Sequence, residues 1–224
     1  MADLSSKSVV VFDFDHTLTT FDTGSAFFAW LLKRDIWRIL LLALMLPLLL
    51  PLVILRRTRK LFVRAAVWVG TLGRSQHDID LLCDKFANER IKSGNTIFHR
   101  DGLARLRLHE SQGHTVVIAT GTLSALATAL LKRAAIADVI VVGSSMRHFL
   151  FGMIAHEHCY GQQKVRMLEQ RGFTAPWSAA YTDHESDFWL LEKSRERYLV
   201  NPKPKATAAF ELKFNAKPSI LRWE

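Results

Sequence analysis

The chain has 224 residues, 49% of them apolar and 23% charged, enough to bury a substantial core in one domain or one domain plus an insert. The formal net charge of +9 is unusual for an enzyme of small anionic metabolites and points to a polyanionic partner, nucleic acid or an anionic membrane surface. Two cysteines, Cys83 and Cys159, match no metal-ligand spacing, so a reduced, cytoplasmic setting is the default. Met1–Lys7 has no apolar core and reads as no signal peptide.

In chain order, Val9–Phe12 is short, continuous and β-branched, the pattern of a buried strand. It runs into Asp13-Phe14-Asp15-His16-Thr17. Residues i and i+2 of an extended strand face one side, so two carboxylates are expected together at a strand's C-terminal end. Ligand sites of open α/β sheets lie there. Two close carboxylates need a cation, and Mg²⁺ with oxygen ligands is the natural candidate.

Residues 21–100 contain no convincing buried strand and read as an inserted set of helices. Their centre, Ile39–Leu55, carries no charge. As one helix it would span about 25 Å, against about 30 Å for a bilayer's hydrocarbon core. Pro47 and Pro51 are expected to bend or break it. Lys33, Arg34 and Arg38 precede the run; Arg56, Arg57, Arg59, Lys60 and Arg64 follow it. Both flanks are positive, which keeps both on the cytoplasmic side.

Beyond the insert, strands are expected at Thr115–Thr120, Val139–Val142, Ala179–Thr182 and Tyr198–Val200. Helices are expected over Leu103–Ser111, Leu123–Ala135, Gln162–Arg171 and Phe188–Glu192. This alternation predicts an α/β fold with a largely parallel sheet. Thr120-Gly121-Thr122 closes the second strand with a hydroxyl and freed N–H groups suited to phosphate oxygens. Lys164 is a point charge early in a helix. Asp183 and Asp187 bring two more carboxylates to the same sheet edge. His156 and His158 flank Glu157 and read as structural or surface residues.

Asp13-Phe14-Asp15-His16-Thr17, Thr120, Lys164 and Asp183…Asp187, in that order, resemble the haloacid dehalogenase (HAD) superfamily in its phosphoserine phosphatase-like branch, subfamily IB. Val200–Lys205 resembles the Asn-Pro segment of that branch. The resemblance implies a Rossmann-like core over 1–20 and 101–224 and an all-helical cap over 21–100, with 39–55 as its membrane-associating segment. It implies phosphomonoester hydrolysis through an aspartyl-phosphate. Asp13 would be the nucleophile and Asp15 the acid/base. Thr120, Gly121 and Lys164 would bind phosphate. Mg²⁺ would be held by Asp13, the Asp15 carbonyl and Asp183, with Asp187 behind. His16, Thr182 and His184 stand where relatives carry small residues.

The Leu/Pro segment, its basic flanks and Val67–Gly73 look most like the phosphatidylglycerophosphatase C type. That likeness implies phosphatidylglycerol phosphate as substrate at the cytoplasmic face of the bacterial inner membrane. A single crossing would separate Asp13 from Asp183, so the expected form is a proline-broken hairpin dipping into one leaflet. A cytoplasmic phosphatase of a small metabolite such as phosphoserine is the alternative, with the Leu run packed inside the cap. A catalytically silent membrane-surface protein is the alternative of another class. Nucleic-acid binding lacks a recognisable motif.

Overall fold

The computed structural model describes residues 8–54, 59–94, 96–136 and 139–224. Met1–Lys7 and the flanking Arg56 and Arg57 lie outside the described residues. The core is a six-stranded parallel sheet built from β1 (Val9–Phe12), β2 (Thr115–Leu123), β3 (Ile140–Ser144), β6 (Trp177–Thr182), β7 (Ser194–Val200) and β8 (Ser219–Leu221). Its order is β3-β2-β1-β6-β7-β8. The chain starts in the middle, winds outward one way, and returns to wind the other way. This is a doubly wound α/β sheet, and its switch point lies between β1 and β6.

Burial on both faces explains why β1 reads as a continuous apolar run. Val10 and Phe12 face one core layer, with Phe86, Leu106 and Leu130 of the helices α4 (Gln76–Lys92), α5 (Arg100–Ser111) and α6 (Ser124–Arg133). Val11 faces the other, with Leu168, Leu190 and Phe210 of α7 (Gln162–Gln170), α8 (Phe188–Glu192) and α9 (Pro204–Phe214). A two-residue hairpin, β4 (Met146–Phe149) and β5 (Gly152–Ala155), follows β3. This hairpin, α9 and β8 are absent from the sequence expectation. β4, β5 and β8 have only three or four residues, too few to show a clear alternation, and α9 buries only Ala206 and Phe210.

Three further helices occupy the insert: α1 (Thr23–Lys33), α2 (Ile36–Ile54) and α3 (Arg59–Thr71), with α4 as the fourth. The chain leaves and re-enters the core at one place. Thr19 bridges Phe98, and Thr20 donates its N–H to the Ile97 carbonyl at 2.9 Å.

Two expectations for the insert are corrected. The helix does not break at the prolines: α2 is a single helix of 19 residues through Pro47 and Pro51. Pro47 and Ala43, whose carbonyl Pro47 deprives of its helical partner, are both exposed, so water can satisfy that carbonyl. The next helix, α3, starts at Arg59, and the apolar run of α2 is not interrupted within itself. Arg38 is not a free basic flank either. It is buried, ion-pairs with Asp35 at 2.8 Å, and donates at 2.7 Å to the carbonyls of Val69 and Leu72 at the end of α3.

That clasp satisfies carbonyls that a helix end leaves open. Removing one partner of a buried charged pair strands the rest. Arg38→Met is expected to cost roughly 2–3 kcal/mol. At about 2–4 °C per kcal/mol for a chain of this size, the thermal midpoint should drop by about 4–12 °C in a melting experiment.

Candidate active site

The switch point places the C-terminal ends of β1 and β6 side by side, and the cleft opens there. It measures about 440 Å³ and is lined from the core by Asp13, Asp15, His16, Gly121, Thr122, His158, Tyr160, Lys164, Asp183, His184, Ser186 and Asp187. Asp22, Gly24, Ser25 and Phe28, at and within the start of α1, close it from the insert side.

Asp13 is fixed by the ladder itself, since its N–H continues the β1–β6 pairing to the Tyr181 carbonyl at 2.9 Å. β1 ends at Phe12, so strand alternation is not what presents Asp15. A tight loop does that: the N–H groups of Leu18 and Thr19 both reach back to the Phe14 carbonyl, and His16 sits at φ 60°. The two carboxylates have different partners. Asp13 Oδ1 accepts from Lys164 Nζ at 2.5 Å. Asp15 Oδ1 accepts from Thr23 Oγ1 at 2.6 Å and from the Thr23 N–H at 2.8 Å.

Lys164 is buried between two anions, with Asp187 Oδ2 at 2.6 Å on its other side. It is the third residue of α7, which starts after Gly161 at φ 58°, a conformation that favours glycine. Burial alone would lower the lysine's pKa. The carboxylates of Asp13 and Asp187 outweigh it and hold the ammonium firmly protonated. For Asp13, burial raises the carboxyl to about 8 although Lys164 opposes the shift, and Asp187 adds to it. Asp15 is raised by burial, with the Thr23 hydrogen bonds opposing. Asp183 is raised by burial as well, opposed by His16 and His184.

Thr17 Oγ1 lies 3.3 Å from Asp13 Oδ2 and 3.4 Å from Asp183 Oδ1, and its one proton can serve only one of them. Asp187 Oδ1 is buried with no hydrogen-bond partner. Of the four carboxylates lining the cleft, Asp13 and Asp187 pair with Lys164, and the donor set is all oxygen and short of positive charge. This fits a hard divalent cation. Among the described residues no three ligating side chains group closely enough to enclose a metal on their own. Main-chain carbonyl and water ligands would complete its shell, as Mg²⁺ usually retains them.

Thr120 is buried at the end of β2, and its hydroxyl accepts from the Thr122 N–H at 3.0 Å. Gly121 and Thr122, not Thr120, line the cleft. Thr122 belongs to the Thr120-Gly121-Thr122 loop that the sequence marks for phosphate, whereas Thr23 carries no such signal. Their hydroxyls lie 3.1 Å apart beside Asp15. Gly24 permits this approach, since a Cβ there would meet Thr122 Oγ1 at 2.7 Å. A hydroxyl pair drawn from two distant segments leaves no sequence pattern. His158, expected as structural or surface, lines the cleft: Ser144 Oγ lies 3.2 Å from its Nδ1, and its ring stacks on Tyr160.

Residues 10–192 match the family model of haloacid dehalogenase-like hydrolases, and the chain belongs to that family. Among solved structures it is similar to a Bordetella pertussis Tohama I protein of unknown function, with a TM-score of 0.69 and 16% identity over 97% of this chain and 99% of that one. It is also similar to a substrate-bound phosphoserine phosphatase, with a TM-score of 0.56 and 13% identity over 92% and 91%. A cytosolic 5'-nucleotidase IIIB bound to cytidine gives a TM-score of 0.60 and 11% identity over 96% and 80%. At these identities the likeness is one of fold. A search of curated proteins finds no match.

The carboxylate excess has a consequence for stability. Burial raises the Asp13 carboxyl from an ordinary value of 3.8 to about 8, so across that window the Asp13–Lys164–Asp187 group as a whole takes up protons that the unfolded chain has lost. The folded state therefore binds more protons than the unfolded one within that window, and metal-free stability falls as pH rises through it. His109, pushed down to about 4 chiefly by burial, contributes the opposite slope, but only below about pH 6.5. Between pH 6.5 and 8 the thermal midpoint of protein in a chelator should fall. Asp13→Asn should flatten that slope. Rising wild-type stability across the window would contradict the picture.

Proposed function

We propose that this hydrolase is a Mg²⁺-dependent phosphomonoesterase working through a phosphoaspartate on Asp13, with phosphatidylglycerol phosphate as substrate at the cytoplasmic face of a bacterial inner membrane. The observation that carries the chemistry is the buried Asp13–Lys164–Asp187 triad at the sheet's switch point, with Asp15 beside it.

Asp13 Oδ attacks phosphorus as the ester P–O bond breaks. Asp15, its pKa raised by burial, gives its proton to the leaving alkoxide. Water then attacks phosphorus of the phosphoaspartate and yields its proton to Asp15, which releases inorganic phosphate and restores the Asp13 carboxylate. Lys164 would hold positive charge against the equatorial oxygens throughout, and Gly121, which lines the cleft at the end of β2, would offer them its main chain. Asp13, Asp183 and the Asp15 carbonyl would hold Mg²⁺, with Asp187 behind, and the bound ion supplies the positive charge that lets an anion approach an anion.

The lipid assignment is supported by α2. Its described outward positions are apolar: Ile36, Leu40 and Leu44 form an i, i+4, i+8 stripe, and Leu44 is 78% exposed. The inward position is the clasped Arg38. An ordinary surface helix has the reverse polarity. This arrangement also disfavours an insert that merely packs its leucines inside. Among the described residues no helix is long and apolar enough to cross a membrane. Surface association does not require one.

Phosphate release should depend on Mg²⁺ and favour phosphatidylglycerol phosphate in mixed micelles over phosphoserine and other soluble esters by at least about tenfold in kcat/KM, a difference of roughly 1.4 kcal/mol. Asp13→Asn should lose at least about 10³-fold against every substrate, a loss of about 4 kcal/mol. A soluble-ester preference would remove the lipid assignment. Full activity in Asp13→Asn would remove the mechanism.

A further inference from the structure

We propose that the tip of the β4–β5 hairpin, Phe149-Leu150-Phe151, is an apolar wedge that seats the insert flat on an anionic lipid surface; this rests on the reading of a membrane-borne substrate and adds the element that grips the membrane.

The turn itself is the first observation. Phe149 pairs with Gly152, which leaves a two-residue loop with Leu150 at φ 39° and Phe151 at φ 61°. Two successive left-handed residues in a tight hairpin favour Asn-Gly or a similar pair. A γ-branched residue and an aromatic are poor choices for this backbone. Their side chains gain nothing from the core, since Leu150 is 62% exposed and Phe151 80%. Strain without internal compensation points to an external role.

The second observation is that the tip is held rigidly. Trp68 Nε1 donates to the carbonyls of Phe149 and Leu150 at 3.1 and 2.9 Å, and the Gly73 N–H donates to the Phe151 carbonyl at 2.6 Å. Gly152 lies under the Trp68 indole, where a Cβ would come within 2.9 Å. The turn of α3 that grips the tip is the one Arg38 clasps, so the wedge and the start of α2 share one base. Exposed Trp37 sits there as well. Aromatic side chains at such a base suit the headgroup level of a bilayer.

Charge selects the occupant. No acidic residue stands between Asp35 and Asp78 in the sequence, while Arg56, Arg57, Arg59, Lys60 and Arg64 do; Arg38 and Arg74 are taken up by Asp35. Arg64, and Arg147 beside the tip, are exposed. An apolar face within a basic surround fits anionic lipid better than an acidic or neutral protein groove.

Geometry selects the orientation. The 19 residues of α2 extend about 28 Å, whereas one leaflet's hydrocarbon is about 15 Å thick. Entering end-on, α2 would carry the start of α3, with Arg59, Lys60 and Arg64, past the bilayer centre, where arginine is costly. Lying in plane, it keeps those residues at the headgroups and leaves the Ala43 carbonyl within reach of water.

The double variant Leu150→Asn/Phe151→Gly tests this, because it installs the residues that the turn favours and so preserves folding. Co-sedimentation with vesicles of mixed phosphatidylglycerol and phosphatidylcholine should show at least tenfold weaker partitioning than wild type. Its thermal midpoint should be unchanged or higher, and its p-nitrophenyl phosphate turnover within twofold. Vesicle binding equal to wild type would overturn the wedge and leave the lipid-substrate reading standing. Wild type failing to bind these vesicles would overturn both the wedge and the membrane setting, with soluble turnover still reporting on the chemistry. A wild-type dimer that becomes monomeric in the variant, seen by light scattering, would assign the tip to a second copy and overturn the wedge.

Discussion

The ion triad of Lys164 with Asp13 and Asp187 is the constraint on which the site depends. A buried ammonium is tolerated only where charge-assisted hydrogen bonds replace its water. Here they run from Lys164, in the first turn of α7, to Asp13 just past β1 and to Asp187 in the segment after β6. Holding Lys164 therefore fixes the ends of β1 and β6 relative to α7. The doubly wound order makes this possible, because its switch point brings Asp13 and Asp183 to adjacent strand ends. The same triad leaves the cleft short of positive charge. Asp15 and Asp183 have no cation of their own, and Asp187 retains an unpartnered oxygen. That imbalance costs stability and suits a site for a hard cation. Such a cost is typical where structure serves chemistry.

Asp15 belongs to the insert as much as to the core. Its carboxylate is tied to Thr23, the first residue of α1, and Thr23 in turn meets Thr122 from β2. Any movement of α1 against the sheet must lengthen or re-aim these bonds. The Asp15 carboxylate thus registers the position of the helices that close the cleft.

The sequence reveals what depends on local pattern. The buried β-branched strands, the glycine that ends α7 and the carboxylates at strand ends are all visible as short-range signals. So is the insert, as a long stretch without strands. Long-range consequences are hidden. Nothing local couples Thr23 to Thr122, and nothing tells a buried Arg38 from a solvated one. Proline is a reliable breaker only when no geometry accommodates it, and on the exposed face of α2 the chain runs straight through Pro47. The β4–β5 hairpin was obscured because Leu-Phe replaces ordinary turn chemistry. That violation hides the element from a sequence reader and leaves its exposed tip without an internal reason for its strain.

A covalent phosphoaspartate on Asp13 is the central claim, and trapping it is the most direct test. Protein turning over p-nitrophenyl phosphate with Mg²⁺ would be quenched and reduced with borohydride, which converts an acyl phosphate on aspartate to homoserine. Peptide mass mapping should find homoserine at position 13 and leave Asp15, Asp183 and Asp187 unchanged. Rapid turnover with aspartate intact at position 13, or with the reduced residue elsewhere, would contradict the assignment.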